Sequence, residues 1–338
     1  MVQKELIESL IAIFMSIGVF GNLNVIIAIG RKKILRTKGA MFVLFLAIAH
    51  LFCNISELIG LVLHYRFTPM SRRKCFQYNI LYTFFVLFQS SLFLMMAFDL
   101  CFSIVLPLKH MLWKKSRYVL VMLIFPVAFS IFCILLSMVN LSDEIAPYCI
   151  FMLAPDPLVY RSISSLNVFC NVSTLIIIIG SIFVALKKSK NMRGSRHSNS
   201  SKTGSLKEEK NKVFRSTFFM CVIYMGSWML ATCMFKVLIS IKDEQAAVEL
   251  LSYVVVVVLP NYCQTYFVAY LRSPRFRKAF QEQLNWMTCG IMFSKVFDKT
   301  KNRSIQALNN NQNQNQHSRS LPERQSSVKF SENTKMPK

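Results

Sequence analysis

Four polar side chains lie inside long apolar runs of the sequence: Asn22, His50, Gln89 and Asn261. If these runs cross a membrane, the polar groups are costly there, so they usually face neighbouring helices or mark a functional site. Two interpretations stay open. The side chains either hold helices together, at about 0.6 kcal/mol per interaction, or form a network that rearranges between two states of the protein.

His50 is also the natural starting point of a search for metal ligands. The other histidines lie in loops, at the end of an apolar run or in the tail, whereas a catalytic zinc site needs three protein ligands. The sequence has no recognisable nucleophile–base motif and no glycine-rich phosphate loop. We therefore expect no metal site, no cofactor and no enzymatic activity.

Glu57 follows His50 by seven residues, which places both side chains on one face of a helix. A carboxylate inside an apolar run needs a partner of opposite charge or a hydrogen-bond donor. Lys236, near the end of the sixth apolar run, could supply a structural ion pair. The alternative partner is a cationic group of a ligand.

A stripe of larger side chains recurs at positions i, i+3 and i+7 of the third apolar run: Tyr82, Phe85 and Gln89. Three further side chains complete a candidate ligand pocket: Glu57, Tyr224 and Trp228. Small-molecule pockets have such a mixture of apolar walls and few polar groups. The alternative is ordinary packing, because an aromatic stripe is more often part of a core.

The composition indicates that the apolar runs lie in a membrane. Hydrophobic residues make up 54% of the 338 residues, compared with about 45–50% in soluble domains. The excess lies in long runs, which predicts a polytopic membrane protein embedded in a lipid bilayer. The formal net charge of +24 does not indicate a nucleic-acid partner, because the basic residues lie between the runs and in the tail and no nucleic-acid module is present.

The elements that position the polar side chains are seven apolar runs, each long enough to cross a bilayer as a helix. They are Leu6–Ile29, Met41–Leu63, Asn79–Ile104, Tyr118–Val139, Ser162–Leu186, Val213–Ile239 and Ala247–Tyr270. The predicted fold is therefore all-α, a bundle of seven transmembrane helices.

The loop charges predict the orientation of the bundle. Most of the 40 basic residues lie after the first, third and fifth runs and in the tail, and loops rich in Lys and Arg are cytoplasmic. The N-terminus is therefore predicted outside and the C-terminus inside. The basic cluster Arg72–Lys74 is a local exception on the outer side.

Five segments describe the predicted organisation of the chain. A short outer N-terminus (1–5) precedes the transmembrane domain (6–271), which contains a flexible basic third cytoplasmic loop (187–212). An amphipathic helix at 273–287, with Phe276 and Phe280 four residues apart, is expected to lie on the inner membrane surface. The polar tail (288–338), with its Asn/Gln tract, is expected to be disordered.

Cys75 and Cys149 both fall on the outer side in this topology. A disulfide between them is chemically permitted there and would hold an outer loop over the mouth of the bundle. The alternative is a pair of free thiols.

The layout of the third run resembles the third span of rhodopsin-like G-protein-coupled receptors, since Cys75 precedes Asp99 by 24 residues. Gly21-Asn22 and Leu46–His50 are similar to the GN and LAxxD signatures of those receptors, with His in place of Asp. The particular forms resemble the nematode serpentine chemoreceptor class Srsx over about residues 6–280. Further stretches that carry this resemblance are Leu35–Lys38, Pro107-Leu108 and Gln264–Ser273.

This resemblance implies a plasma-membrane receptor, in sensory cilia, that binds an external small ligand and activates a heterotrimeric G protein. Four residues are expected to face the G protein: Asp99, Leu100, Pro107 and Arg215. The rival of the same fold is a receptor for a neuropeptide or another internal signal, which the site of expression would distinguish. A seven-span channel or transporter is less expected, because the loop charges contradict the orientation of insect odorant channels and the chain has no internal repeat.

The chain departs from the wider rhodopsin-like pattern at several positions. Asp99-Leu100-Cys101 stands at the DRY position, so the usual arginine is missing. His50 should weaken the sodium site of that family, because a neutral imidazole offers little to a hard cation. Tyr82 stands where amine receptors carry an acid, so a monoamine ligand is not expected.

Overall fold

In the computed structural model of the chain, residues 2–65, 70–139, 141–146, 149, 154–193, 218–234, 237, 241 and 244–287 are described. Helices occupy most of these ranges: α1 (Val2–Arg31), α2 (Lys38–Tyr65), α3 (Arg72–Val105), α4 (Pro107–Leu112), α5 (Lys115–Met138), α6 (Pro157–Arg193), α7 (Phe218–Met234), α8 (Glu244–Arg272) and α9 (Pro274–Met287). A 3-10 turn at Lys33–Leu35 joins α1 to α2.

Six of the described helices are long and apolar enough to cross a membrane, namely α1, α2, α3, α5, α6 and α8. The shorter apolar helix α7 coincides with the sixth predicted run. Together these helices are the seven spans expected from the sequence. The prediction of an all-α, seven-helix bundle is confirmed.

Several helices, among them α1, α2, α3, α6 and α8, extend beyond the apolar runs that predicted them. The third helix begins at Arg72, seven residues before the predicted start at Asn79, and it therefore includes Cys75. The side chain of Ser71 caps this helix by accepting a hydrogen bond from the backbone N–H of Lys74 at 3.4 Å. Backbone hydrogen bonding continues past the apolar region because polar side chains are tolerated at the membrane interface.

α3 is the central helix of the bundle. It packs against α2, α5 and α6, while α1 packs against α2 and α8. In α3, 78% of the apolar window is buried, compared with 56% or less in the other five long spans. Side chains at both ends of α3 are therefore in a position to contact several other helices.

We name the end of the bundle at which α3 begins the disulfide end, and the residues 70–71 and 141–146 that lie there the cap. Strand β1 (Met70–Ser71) pairs antiparallel with β2 (Ile145–Ala146). The predicted Cys75–Cys149 disulfide is present, with the two Cα atoms 5.3 Å apart. The segment between α5 and α6 is thus attached to the first turn of α3.

Acidic residues of this cap contact the basic cluster Arg72–Lys74, the exception to the excess of Lys and Arg in the predicted cytoplasmic loops. The Arg73 guanidinium binds both carboxylate oxygens of Asp143, at 2.8 and 3.3 Å. Arg72 forms a longer ion pair with Glu144 at 3.7 Å. The hydrogen bond from Arg73 lowers the pKa of the exposed Asp143 carboxyl below its ordinary value. These pairs compensate part of the positive charge at the disulfide end.

α9 packs on the opposite end of the bundle, which we name the Asp99 end. Phe280 is fully buried and lies near Tyr266 and Tyr270 of α8, with ring centroids 4.8 and 6.4 Å away. Phe276 is buried beside it, and Lys32 forms an ion pair with Glu282. The apolar face predicted from Phe276 and Phe280 thus packs against α8.

The chain divides into two compact units, Met1–Gln283 and Leu284–Lys338, and only the end of α9 is described in the second unit. α6 continues to Arg193, so the first residues of the predicted basic loop are helical. The rest of that loop, with Arg215, and the predicted tail 288–338 lie outside the described residues. Lys236, a predicted partner of Glu57, lies outside them as well.

Candidate functional site

Two groups of polar side chains contact α3 near its two ends. Cys75 and Asp99 are 24 residues apart, which corresponds to about 36 Å along a helix at 1.5 Å per residue. One group lies two turns below the disulfide and involves Tyr82. The other group surrounds Asp99. A side chain contact that changed at one end would therefore act on the same rigid helix as a contact at the other end.

The first group, the Glu57 cluster, consists of Glu57 of α2, Tyr82 of α3 and Tyr262 of α8. The Tyr82 hydroxyl donates a hydrogen bond to the Glu57 carboxylate. The hydroxyl oxygens of Tyr82 and Tyr262 are 2.9 Å apart, at hydrogen-bond distance. Tyr82 and Tyr262 are buried, whereas Glu57 is half-buried. Three helices therefore share one continuous polar contact.

The other candidate pocket residues lie in different surroundings. Phe85 stacks on Phe52 of α2, with ring centroids 4.5 Å apart and nearly parallel planes. Tyr224 of α7 packs against Phe93 of α3 at 4.5 Å and against Trp228 at 6.2 Å. The structure brings Glu57 and Tyr82 together directly, and it places Tyr224 and Trp228 in the central core.

The polar core residues are fully buried, as expected for intramembrane polar groups: Asn22, His50, Gln89 and Asn261. The Asn22 amide donates to the backbone oxygens of Gly18, at 2.8 Å, and Tyr262, at 2.7 Å. His50 Nδ1 lies 2.9 Å from the hydroxyl of Thr265. Asn261 accepts a hydrogen bond from Gln264. Residues of α8 thus connect α1 and α2.

Some atoms of this polar core have no hydrogen-bond partner among the described residues. They are Asn22 Oδ1 and Asn261 Nδ2, whereas the side chains of His50 and Gln89 are within hydrogen-bonding reach of each other. Buried polar atoms are nearly always paired in proteins, and an unpaired one costs about 1–3 kcal/mol. Groups with unused hydrogen-bonding capacity can change partners at lower cost than fully paired ones.

The second group, the Asp99 cluster, consists of Lys38, Asp99, His110 and Tyr118. Asp99 Oδ1 accepts a hydrogen bond from the Tyr118 hydroxyl at 2.7 Å and lies 2.9 Å from His110 Nε2. The Lys38 ammonium donates to the backbone oxygen of His110 and lies 4.8 Å from the centre of the Tyr118 ring. The carboxylate therefore joins α3, α4 and α5, while Lys38 adds the start of α2.

The short helix α4 carries the most exposed apolar side chains at this end. Pro107 is its first residue, and the side chains of Leu108, Met111 and Leu112 are each at least 74% exposed. Lys109, Lys114 and Lys115 lie beside them in the sequence. We name Leu108, Met111 and Leu112 the α4 patch. Leu100, by contrast, is buried against the bundle.

Sequence reasoning missed four residues of these groups: Tyr262, Thr265, His110 and Tyr118. Tyr262 follows Pro260-Asn261 inside an apolar run, and this break in the run was a usable signal. The helix breaks at Leu106-Pro107 and again before Lys115, so helical periodicity does not relate His110 and Tyr118 to Asp99. Only the fold of the segment 105–118 brings them to the carboxylate.

Comparison with known families gives one match. The family described as serpentine-type seven-transmembrane G-protein-coupled chemoreceptor Srsx matches residues 15–284. This range includes the second half of α1, the other six spans, α4 and most of α9. No curated protein matches the chain.

Proposed function

Because the chain belongs to the Srsx family of serpentine chemoreceptors, we propose that it binds an external small ligand within the helix bundle and activates a heterotrimeric G protein. The family is of the receptor type, with seven membrane spans. Catalysis has no role in this proposal.

The observation that carries the proposal is the bonding of α3 to other helices near both of its ends. Near the disulfide end, Tyr82 contacts Glu57 of α2 and Tyr262 of α8. At the Asp99 end, the carboxylate contacts Tyr118 of α5 and His110 of α4. A ligand shifts the population of two conformations only by its difference in affinity for them. A ligand that replaced the contacts of Tyr82 in only one of the two conformations would have this difference in affinity.

The polar core between the two ends supports a rearrangement. His50 contacts Thr265, and Asn22 contacts the backbone of Tyr262. The unused hydrogen-bonding capacity of Asn22 and Asn261 among the described residues fits a network that changes partners. This favours the interpretation as a switch network over simple attachment of helices.

The transducer surface in this proposal is the α4 patch with its basic flank. Contiguous exposed apolar side chains often mark protein–protein contact sites. The lysines Lys109, Lys114 and Lys115 would attract an acidic partner surface. With no arginine at the position after Asp99, coupling would depend on this patch and on the position that the Asp99 cluster gives to α4. Asp99 itself would act by positioning α4, as would Pro107 at its start.

The proposed setting is the plasma membrane, with the disulfide end outside and the Asp99 end in the cytoplasm. A disulfide forms and persists in the oxidising exterior, and the lysine-rich α4 segment suits the cytoplasmic side. The sensory cilium is the proposed site of action, because an environmental ligand must reach the receptor there.

The first experiment localises a fluorescently tagged copy in the living animal against a marker of sensory endings. Labelling of the cilia of exposed sensory neurons is expected. Labelling confined to interneurons, gut or muscle would contradict an environmental role and would favour a receptor for an internal peptide. A copy with the Leu112→Asp substitution is the control, because it should reach the same endings and yet fail to restore responses in animals that lack the receptor.

A further inference from the structure

We propose that the Glu57 cluster binds the positively charged group of an organic cation, an ammonium or alkylammonium ligand. This inference rests on the proposed function and gives the ligand a chemical class. The binding group is the Glu57 carboxylate, and the hydroxyl groups of Tyr82 and Tyr262 form the hydrogen-bonded chain that begins at it.

Among the residues that the structure describes, the Glu57 carboxylate has one hydrogen-bond donor, Tyr82. One oxygen accepts the hydrogen bond from Tyr82, whereas an ionised carboxylate has about four acceptor positions. Among the described residues, no Lys or Arg side chain forms an ion pair with Glu57. The arginines nearest in sequence to Tyr82, Arg72 and Arg73, contact Glu144 and Asp143 of the cap instead.

The surroundings of Glu57 favour a cationic partner for its ionised carboxylate. The side chain is half-buried, while its partner Tyr82 is 6% exposed and Tyr262 is fully buried. A charge in such surroundings attracts an opposite charge more strongly than one on the surface. Tyr82 lies seven residues after the disulfide-bonded Cys75, about 10 Å along α3, so the cluster lies in the half of the bundle nearer the disulfide end.

The chemistry of the cluster selects an organic cation over a metal ion. Calcium takes six to eight oxygen ligands, most of them carboxylates or carbonyls, and the Glu57 cluster offers one carboxylate and two phenol groups. Ammonium groups bind a carboxylate together with aromatic faces, through the cation–π interaction. The sequence expectation against a monoamine rested on Tyr82 alone. The structure adds a carboxylate from α2 that is bonded to that tyrosine.

The same contacts offer a route from binding to conformational change. An ammonium group that takes up the Glu57 carboxylate competes with the Tyr82 hydroxyl for it. Tyr82 is also bonded to Tyr262, whose backbone oxygen is bonded to Asn22 of α1 and whose ring lies 5.8 Å from that of His50. A change in the Tyr82–Tyr262 contact would therefore reach the polar core.

The test measures ligand binding to the purified full-length receptor in lipid nanodiscs. The probes are primary, tertiary and quaternary alkyl- and arylalkylammonium compounds, each paired with the neutral alcohol of the same carbon skeleton, and binding is measured as a rise in melting temperature with concentration. Ammonium probes are expected to stabilise the receptor, whereas their alcohols are not. Glu57→Gln should weaken the affinity for these probes by roughly tenfold or more, because it removes the charge.

Two further variants keep the test decisive. Glu144→Gln removes an exposed acid of the cap at the same end and should leave probe affinity unchanged. Glu57→Asp keeps the charge and should retain part of the affinity, which separates loss of charge from misfolding. Equal affinity of Glu57→Gln and the unaltered receptor, equal binding of alcohols and amines, or no binding of any ammonium probe would overturn the proposal.

Nucleotide exchange by a purified heterotrimeric G protein, recorded with the same samples, separates this inference from the proposed function. Activation by neutral compounds, unaltered in Glu57→Gln, would overturn the cation site and keep the receptor function. Ammonium binding that depends on Glu57 without any nucleotide exchange would keep the site and contradict coupling to that G protein.

Discussion

Gly21 of α1 lies directly against Tyr266 of α8. A Cβ atom at this position would lie 2.7 Å from the Cβ and 3.1 Å from the Cγ of Tyr266. Real Cβ atoms essentially never come so close, and Tyr266 Cβ cannot move without its backbone. Small residues allow such close contacts between membrane helices. The contact with Tyr266 therefore explains why position 21 is occupied by glycine.

Gly21→Ala is therefore expected to lower stability by about 1–3 kcal/mol, as overpacking of a tight contact does. Gly180→Ala in α6 is the matched control, because a Cβ there meets nothing within 4 Å. The control should be neutral or slightly stabilising, since alanine favours a helix over glycine by up to about 1 kcal/mol. The thermal unfolding of both variants in nanodiscs checks this. Equal melting temperatures for the two would show that the α1–α8 contact is looser than the structure indicates.

The structure gives Asp99 contacts within the protein that its position in the sequence does not suggest. From the sequence it was expected to face a G protein, an expectation that stays a prediction. In the structure its carboxylate is occupied by Tyr118 and His110. Its role in coupling would then be to position α4 rather than to contact the partner itself.

A double-mutant cycle between Asp99→Ala and Tyr118→Phe measures this contact. We expect a coupling free energy of about 1–2 kcal/mol, in the lower range for hydrogen bonds to charged groups because Asp99 is partly exposed. Tyr118→Phe keeps the ring against which Phe102 stacks. The pair Asp99→Ala with Tyr78→Phe is the control, because Tyr78 is exposed, and its effects should add. Additive effects in the Asp99–Tyr118 pair as well would contradict the hydrogen bond.

The most deeply buried side chain of α9 is that of Phe280. Phe280 is completely buried and packs among Phe276, Tyr266 and Tyr270. Arg277 adds a cation–π contact with Tyr270 at 5.6 Å. The basic side chains of this helix stay outside, where an anionic membrane surface would attract them.

Phe280→Ala is expected to release α9, since truncation of a buried phenylalanine costs about 3–5 kcal/mol. Hydrogen exchange of the backbone amides in α9 should become faster, while that of α3 stays slow. Phe267→Ala is the control, because Phe267 lies on α8 with its side chain 46% exposed. If exchange in α9 is the same in both variants, other contacts hold the helix.

At the scale of the whole molecule, the two ends of the bundle differ in charge and covalent chemistry. The disulfide end has its disulfide and compensated arginines. The Asp99 end has exposed lysines and the α4 patch. Both features predict that the disulfide end faces the exterior.

Epitope tags test this orientation. A tag at the N-terminus is expected to be labelled by antibody on intact cells, and a tag at the C-terminus only after permeabilisation. Both tags should give equal signals once the cells are permeabilised, which controls for expression. Labelling of the C-terminal tag on intact cells would contradict the predicted orientation. The α4 patch would then lie outside the cell, where a G protein cannot bind it.

The spans, their approximate ends, the amphipathic helix and the Cys75–Cys149 pair could all be predicted from the sequence. These features depend on local properties, namely the length of an apolar run, the spacing of two phenylalanines and the side of the membrane on which a cysteine lies. The partners of the polar residues could not be predicted. Tyr82 and Tyr262 are 180 residues apart, and His50 and Thr265 are 215 residues apart.

The partners of the polar residues could not be predicted because they depend on the rotation of each helix about its axis. Each residue turns the direction of a side chain by about 100° around the helix axis, so a contact between two helices depends on how both are rotated and how deep each lies. Packing against neighbours sets these quantities, as the close approach at Gly21 shows. The length and composition of the apolar runs are therefore enough to identify the spans and the polar groups within them. The contacts of Glu57 with Tyr82, and of Asp99 with His110 and Tyr118, follow from the packing of the helices in three dimensions.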